Sequence, residues 1–378
     1  MAKGLISPQG GAQNASKMIL KSLSNHQQDF KIFVLTDENK SLNLYNKNWC
    51  YINQGLLLKI FGLNFEINNL FATRGIENVI RNVKPNLIHV NGYGGFYPKA
   101  PANIKSLLTL HDYPFLGSYV NFSLNPITLL EHMWYESAKI IRIKNLKSYN
   151  FFHALSSETA KALLSLGVER KRILVLPNGY NGVRDISENS FDIKLLRKKF
   201  YKLLNLKNSD KLIIAVGLIN RRKGIHFLIE SLNYLPSNIH LILVGVPLPL
   251  VGKTYLKKIL SGKYSGRIHF LGFQPKYVVY RLMMISDCYV SSSVSEACQL
   301  TPIEAYNSGL PIVITDVGAA RDFFGTNYKY LVKPFSSKDL ANKIIQALED
   351  PQRKNLDVRI PRWEEVGQRL LAFYKRII

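Results

Sequence analysis

The chain reads as an α/β protein made of two doubly wound parallel-sheet domains. Three observations carry that reading. Short apolar strand patterns alternate with helical patterns from end to end. The 378 residues are enough for two domains. The composition, 47% hydrophobic and 20% charged, is that of a folded globular chain without low-complexity stretches.

The elements fall in two series. In the first, apolar runs over residues 4–7, 31–36, 87–91, 106–111, 151–156 and 173–177 read as strands. In the second, the runs are 212–218, 240–246, 268–273, 288–292, 311–315 and 329–332. Most end in Gly, Asn, Ser, Asp or Pro, the residues that stop a strand and turn the chain. Helical patterns fill the gaps, as βαβ units require, so each series is a Rossmann-like layer. The turn-rich segment 178–183 marks the joint, with domains at 1–180 and 181–360. Residues 361–378 carry Trp363, Val366, Leu370 and Tyr374 near one helical face. Taken alone, that pattern needs no more than a helix packed on its own domain.

The net charge is +24, from 50 Lys and Arg against 26 Asp and Glu. The first 180 residues hold 20 basic and 10 acidic residues, the rest 30 and 16, so the excess is not a tail. Such a surface favours anionic partners (phospholipid headgroups, nucleic acid or an acidic polymer), although a solvated basic surface needs none. The three cysteines, Cys50, Cys288 and Cys298, form no C-x-x-C and support neither a disulfide framework nor a zinc site. With no signal-peptide pattern and no apolar run of about 18 residues, the expectation is a cytoplasmic protein without a spanning helix.

The most informative stretch is 291–311. Glu296 and Glu304 stand eight positions apart, one after an apolar strand and one in the first turn of a helix. The loop between them holds no other acid and ends in a helix start, where unpaired N–H groups attract phosphate. Carboxylates on either side are suited to neutral hydroxyls. Phosphate between hydroxyls describes a nucleotide sugar. Thr301-Pro-Ile-Glu304 also fits a capping box, with Thr301 as N-cap and Glu304 three residues on, which would make Glu304 structural. Glu296 has no such capping role and reads as a surface loop residue or a ligand contact.

Three further groups point the same way. The segment 215–226 is a strand, a glycine turn and a basic knot, Arg221, Arg222 and Lys223, at a helix start, where the cations would face an anion or simply be solvated in a loop. Gly10 and Gly11 follow the first strand and let the backbone approach a phosphate, or simply make a turn. His111, before Asp112, ends its strand pattern and can hydrogen-bond a sugar hydroxyl or a reacting oxygen, or serve structurally. A ligand touching all of these lies in a cleft between the two domains.

With these residues in place the chain resembles the family 4 glycosyltransferases, retaining enzymes of the two-domain GT-B fold. The resemblance rests on Gly10-Gly11, His111-Asp112, Leu176-Pro-Asn-Gly179 and Gly217-x5-Lys223-Gly224. It continues through Leu243-Val-Gly245, Phe270-Leu-Gly272, Glu296-x7-Glu304-Ala305, Ser308-Gly-Leu-Pro-Ile-Val313 and the Trp363…Tyr374 helix. It implies two doubly wound Rossmann-like domains facing across a cleft, with the C-terminal helix, 361–378, crossing back to the first. It also implies roles. Glu296 meets hydroxyls of the donor sugar, Glu304 the ribose, and Lys223, with Arg222 beside it, the diphosphate. Backbone N–H groups of Gly10 and Gly11 and of Ala297, Cys298, Gln299, Leu300 and Thr301 complete the cradle. His111 lies near the sugar, and Gly272 and Phe273 meet the base. His111, Lys223 and Glu296 are the expected catalytic residues.

Two departures stand out. The family carries Arg after the glycine of the Gly217 turn, where this chain has Leu218; Arg221 or Arg222 is the candidate replacement. The family often has glycine where Gln299 stands and an aromatic where Cys298 stands. The implied reaction moves a hexose-type sugar from a nucleotide diphosphate sugar to a glycan or lipid-linked acceptor, with retention. No metal or other cofactor is expected, and the chain contains no Asp-x-Asp.

The rivals are a basic nucleic-acid-binding protein without catalysis, a glycosidase built on the paired acids, and a GT-B phosphorylase or epimerase. No recognised nucleic-acid motif occurs, so no specific nucleic-acid partner is expected. An anionic membrane surface is a candidate partner, with a peripheral place on the inner face of the membrane. Segment 131–147 mixes aromatic and basic residues as interfacial helices do, and as ordinary domain helices also can. The run 194–202 reads as a solvated helix face.

Overall fold

The computed structural model describes residues 11–24, 34–36, 49–51, 59–60, 63–64, 80–92, 99–111, 143–180, 192–247, 256–257, 260–261, 265–350 and 358–378. Among them the chain runs α1 (Gly11–Ser24), β1 (Val34–Thr36), β2 (Trp49–Tyr51), β3 (Lys59–Ile60), β4 (Leu63–Asn64), β5 (Leu87–Gly92), β6 (Lys105–Leu110), β7 (Phe151–Ala154), α2 (Ser157–Ser165) and β8 (Ile173–Val175). It continues with α3 (Ile193–Leu203), β9 (Lys211–Val216), α4 (Ile225–Ser231), β10 (Ile239–Val244), β11 (Ile268–Gly272), α5 (Lys276–Ile285), β12 (Cys288–Ser291) and α6 (Thr301–Asn307). Last come β13 (Ile312–Thr315), α7 (Ala320–Phe324), β14 (Leu331–Val332), α8 (Ser337–Glu349) and α9 (Trp363–Ile377). The predicted strand at 4–7, Gly10, Asp112 and residues 131–142 lie outside the described residues. Strands β2, β3 and β4 were not anticipated; at two or three residues each they are too short to show a period.

Among the described residues two compact units emerge, one within 11–179 with 361–378, the other within 180–360. The C-terminal helix α9 therefore belongs with the chain's first half.

In the first unit a parallel sheet runs β5-β6-β7-β8. Leu108, Leu110, Phe152 and Ala154 form its core, with Leu146 and Tyr149 packed beside them. Helix α2 is capped by Ser156, whose hydroxyl accepts from Thr159 N. Gly179 lies against α9: a Cβ there would stand 2.7 Å from Trp363 Cα.

Polar residues cross the middle of this sheet and form one relay. Tyr374 Oη lies 2.5 Å from His89 Nδ1, and His89 Nε2 lies 2.6 Å from Thr109 Oγ1. Thr109 Oγ1 lies 2.9 Å from His153 Nδ1, and His153 Nε2 lies 2.8 Å from Leu176 O. The Leu176 carbonyl can only accept, so His153 donates from Nε2 and its neutral ring accepts at Nδ1. The order of protons is then fixed back along the line: Thr109 donates to His153, His89 to Thr109, and Tyr374 to His89. Burial keeps the rings neutral, lowering His89 to about 3 and His153 to about 4 from an ordinary 6.5. The relay ties α9 through three strands to the end of β8.

The second unit holds a six-stranded parallel sheet ordered β11-β10-β9-β12-β13-β14. Relabelled from β9, that order is 3-2-1-4-5-6, the doubly wound arrangement, and its direction of winding reverses between β9 and β12. Ligands of such sheets gather beyond the carboxyl ends of strands at that reversal. Strands buried on both faces read as continuous apolar runs, as Leu212, Ile213 and Ile214 do at 0% exposure. No described helix is long and apolar enough to cross a membrane.

The neutral histidines set an acid limit on stability. Their folded pKa values lie below the unfolded 6.5, so the unfolded chain binds more protons in between. Their contribution is full above pH 6.5 and is lost as pH falls toward 4 and 3. The urea midpoint is expected to be lower at about pH 5 than at about pH 7.5, with a smaller difference in His89→Gln. Equal midpoints in the wild type would contradict the buried neutral relay.

Candidate active site

The site forms where the loops after β9 and β12 meet. Residues 217–224 follow β9 and residues 292–300 follow β12, the two strands flanking the reversal. The loops are stitched together. Val294 N donates to Arg222 O at 2.8 Å, and Ser292 Oγ to Lys223 O at 3.0 Å. Asn220 Oδ1 accepts from Lys223 N at 2.9 Å and closes the basic knot into a turn. Gly224 is required at the crossing. Its φ is +60°, and a Cβ would stand 2.0 Å from Ser292 O. On the far side Gly318, also at φ +60°, leaves room for the carbonyl of Glu296, which a Cβ would approach to 2.7 Å.

Glu296 sits at the centre of this crossing, 7% exposed. Lys223 Nζ lies 2.6 Å from Oε1, and Arg222 Nη1 donates to Oε2 at 2.8 Å. Ser293 Oγ donates to Oε1 at 3.0 Å, and Arg222 Nη1 also reaches Ser295 O at 3.1 Å. Burial alone would raise the Glu296 pKa; the Arg222 and Lys223 charges and the hydrogen bonds overcome it and hold the carboxyl at about 2. Burial pulls the Lys223 ammonium down from its ordinary value, against the attraction of Glu296. Lys223, Arg222 and Glu296 are thus gathered at one point. Of the two candidates for the cation missing at Leu218, it is Arg222 that reaches this carboxylate.

Glu304 has a different setting. Helix α6 begins at Thr301, its N-cap is Leu300, and no side chain caps it. The capping-box expectation is therefore wrong. Thr301 is already inside the helix, and its hydroxyl meets Tyr289. Glu304 pairs instead with Lys276 Nζ at 3.2 Å, and its side chain is 24% exposed. Burial raises its pKa, with Lys276 opposing. Tyr180, Tyr280 and Tyr289 lie within electrostatic reach of it, and all three hydroxyls are pushed up, first by burial. None of the three was singled out in the sequence; only the fold brings Tyr180, within the joint, into electrostatic reach of Glu304.

In the connecting loop Ala297 is buried, Cys298 and Leu300 are half-buried, and Gln299 is 8% exposed. Ser291 Oγ donates to Gln299 Oε1 at 2.6 Å. Gly272 has φ +65°, and Phe273 beside it is 59% exposed, an aromatic face turned outward.

The first unit presents its own polar group. His111 N donates to Gly92 O at 3.0 Å at the end of β6. Its Nε2 lies 3.1 Å from Asn91 Oδ1 and 3.4 Å from Ser16 Oγ. With Asn91 Oδ1 as acceptor, Nε2 carries the proton and Nδ1 is the accepting nitrogen. Burial lowers the His111 pKa to about 3, with repulsion from His153 adding, so the ring is neutral. Gly11 is the first residue of α1. The signal for the missed His89 and His153 was present: polar residues inside strands otherwise apolar enough to be buried.

Comparison with known proteins agrees with this layout. The family Glycosyl transferases group 1 matches residues 197–361, and Glycosyltransferase Family 4 matches residues 9–182. A teichuronic acid biosynthesis glycosyltransferase, TuaC, of Bacillus subtilis is 24% identical over 275 residues, 70% of this chain and 61% of that protein. The processive diacylglycerol alpha-glucosyltransferase of Acholeplasma laidlawii is 23% identical over 220 residues, 57% of this chain and 64% of that protein. The chain thus spans less than two thirds of either relative. Among solved structures, Anabaena Alr3699/HepE in complex with UDP and glucose superposes with a TM-score of 0.70 at 19% identity, over 97% of this chain and 96% of that one.

Two parallel-sheet units, one with a basic knot clasping a loop carboxylate at its topological reversal, define a protein of the GT-B class. The two family matches lie end to end along nearly the whole sequence, and the chain belongs to the group 1, family 4 glycosyltransferases.

Glu304→Gln separates a structural from a ligand-binding role. A lost capping box would cost roughly 1 kcal/mol of stability. Glu304 instead carries a folded pKa raised by burial, so its charge opposes folding at neutral pH. The variant is expected to keep or raise the urea midpoint while losing most of the thermal shift induced by nucleotide. A lower midpoint with full nucleotide response would restore the structural reading.

Proposed function

We propose that the protein transfers a hexose-type sugar from a nucleotide diphosphate sugar to a glycan or lipid-linked acceptor, with retention at the anomeric carbon. The observation that carries the reading is the clasp of Lys223 and Arg222 on the buried Glu296 at the β9/β12 reversal. Two cations share one carboxylate, leaving one net positive charge beside a loop that ends in a helix start. A diphosphate suits that excess, and the hydroxyls of a sugar suit Glu296.

In this reading the acceptor oxygen forms a bond to the anomeric carbon as the bond to the diphosphate oxygen breaks. The acceptor's proton passes to the departing diphosphate oxygen on the same face. Negative charge grows on the leaving group, and Lys223, Arg222 and the N–H groups of residues 297–301 stabilise it. Glu296, held ionised, accepts from sugar hydroxyls and steadies the positive character of the ring. Glu304 takes the ribose hydroxyls, and Gly272 and Phe273 take the base. His111, neutral with an accepting Nδ1, serves as a hydrogen-bonding partner of the reacting sugar. The charge is handled by side chains and backbone, and no metal is assigned a role. The Acholeplasma relative is named a processive diacylglycerol alpha-glucosyltransferase, and TuaC is named for teichuronic acid biosynthesis. With a net charge of +24, an anionic membrane surface is the proposed partner, placing the protein peripherally on the cytoplasmic face.

Thermal-shift screening of nucleotide sugars is expected to find a donor that raises Tm. Turnover of that donor should fall by about 10²–10³ in Lys223→Ala, chiefly in kcat, as when one stabiliser of a developing negative charge is removed. Glu296→Gln should also fall sharply. Unchanged turnover in both variants would end this assignment.

A further inference from the structure

Helix α3 turns two unlike faces to its surroundings. Its inward face is fixed. Leu196 and Phe200 pack against the core of the second unit, and Tyr201 lies within it. Arg197 donates to Asp287 Oδ1 and Oδ2 at 3.1 and 2.8 Å and to Ile285 O at 2.9 Å. Asp287 Oδ2 also accepts from Leu212 N at 2.8 Å, tying the latch to β9. Tyr201 Oη donates to Asp210 O at 2.9 Å. The helix is therefore held in one rotation.

The opposite face is a stripe of lysines. At about 100° per residue, Lys194, Leu195, Lys198, Lys199 and Lys202 fall within an arc of about 140°. All five are exposed, and among the described residues none of the four lysines makes an ion pair. No Asp or Glu occurs from Ile193 to Ser209. Apolar side chains accompany the charges: Leu195, within the arc, is 47% exposed, and Leu203, about 40° beyond its edge, is 77% exposed.

We propose that this face of α3 docks on a bilayer containing anionic phospholipid. Lysine ammonium groups reach headgroup phosphates, and Leu195 and Leu203 enter the headgroup–acyl boundary. Nucleic acid fits less well. Its recognition draws on arginine forks and aromatic stacking, and here Arg197 is turned inward and Phe200 and Tyr201 are packed away. Aliphatic side chains among lysines have a use at a lipid surface and none on a phosphodiester backbone. This face is distinct from segment 131–147, where the sequence placed an interfacial helix. The assignment names the docking face of the membrane partner proposed above, and it stands or falls apart from the donor chemistry.

Vesicle flotation tests it, with phosphatidylcholine alone and with about 30 mol% phosphatidylglycerol added. The full chain should bind only the anionic vesicles, and salt should weaken that binding. The triple substitution Lys194→Gln, Lys198→Gln, Lys202→Gln should lower the partition coefficient tenfold or more. The double substitution Leu195→Ser, Leu203→Ser should weaken binding while leaving its salt dependence unchanged, because it removes insertion and not charge. Urea midpoints close to wild type establish that the variants are folded, as exposed positions lead one to expect. The proposal is overturned if the wild type ignores anionic vesicles or if the folded triple variant binds as the wild type does. It is also overturned if duplex DNA competes the vesicles away while the leucine variant is unaffected. Donor turnover measured without vesicles reports on the transferase reading alone, so the two can fail separately.

Discussion

A carboxylate cannot be buried without partners, and the second unit is organised around the one at Glu296. An unpaired charge in that setting would cost several kcal/mol, so the fold brings Lys223, Arg222 and Ser293 to it. Those contacts force two loops into van der Waals range, and the closeness in turn dictates glycine at 224 and 318. The clasp also leaves this crossing charged but not bare. Lys223 is neutralised by a group within the protein, and on the proposed reading a diphosphate takes over part of that role without uncovering a cation to water. Glu296, relieved of one partner, then has an oxygen to offer to a hydroxyl.

The first unit solves a related problem differently. Its sheet contains two histidines and a threonine where apolar side chains would pack more simply. Each is satisfied by the next, and the line ends on a carbonyl that sets the direction of every proton. A neutral relay of this kind avoids the desolvation of a charge and fixes geometry, since reversing one bond would strand another. Its outer end is Tyr374, on a helix contributed by the last residues of the chain. The relay thus makes the position of α9 a property of the sheet core.

Much of this was legible in the sequence. The strand patterns from residue 87 onward, the Glu296–Glu304 spacing and the basic knot before Gly224 are local patterns, and local patterns survive in one dimension. The polar relay was not read, because it depends on parallel register: Thr109 stands beside His153, and His89 comes within hydrogen-bond reach of Thr109, only once the strands are aligned. The capping box was misread because helix starts are ambiguous by a residue, and at Thr301 one residue decides whether the hydroxyl faces the helix end or Tyr289. Choosing between Arg221 and Arg222 was equally a matter of side-chain direction, which composition does not encode.

The two carboxylates that drew attention first have environments that pull them in opposite directions. Glu296 has two cations and a hydroxyl, and stays ionised well below neutral pH. Glu304 has one exposed lysine and a ring of tyrosines, and burial raises its pKa. Groups of one chemical type driven apart in this way commonly serve different roles. An ionised acid beside a reacting sugar supplies a fixed negative charge. An acid whose charge is only loosely compensated gains most from new donors, and a pair of ribose hydroxyls supplies two. The second site therefore has a thermodynamic reason to be filled that the first, already satisfied, does not. On the proposed reading, nucleotide recognition at Glu304 draws the donor in and leaves the clasp at Glu296 to act on the part of the molecule that reacts.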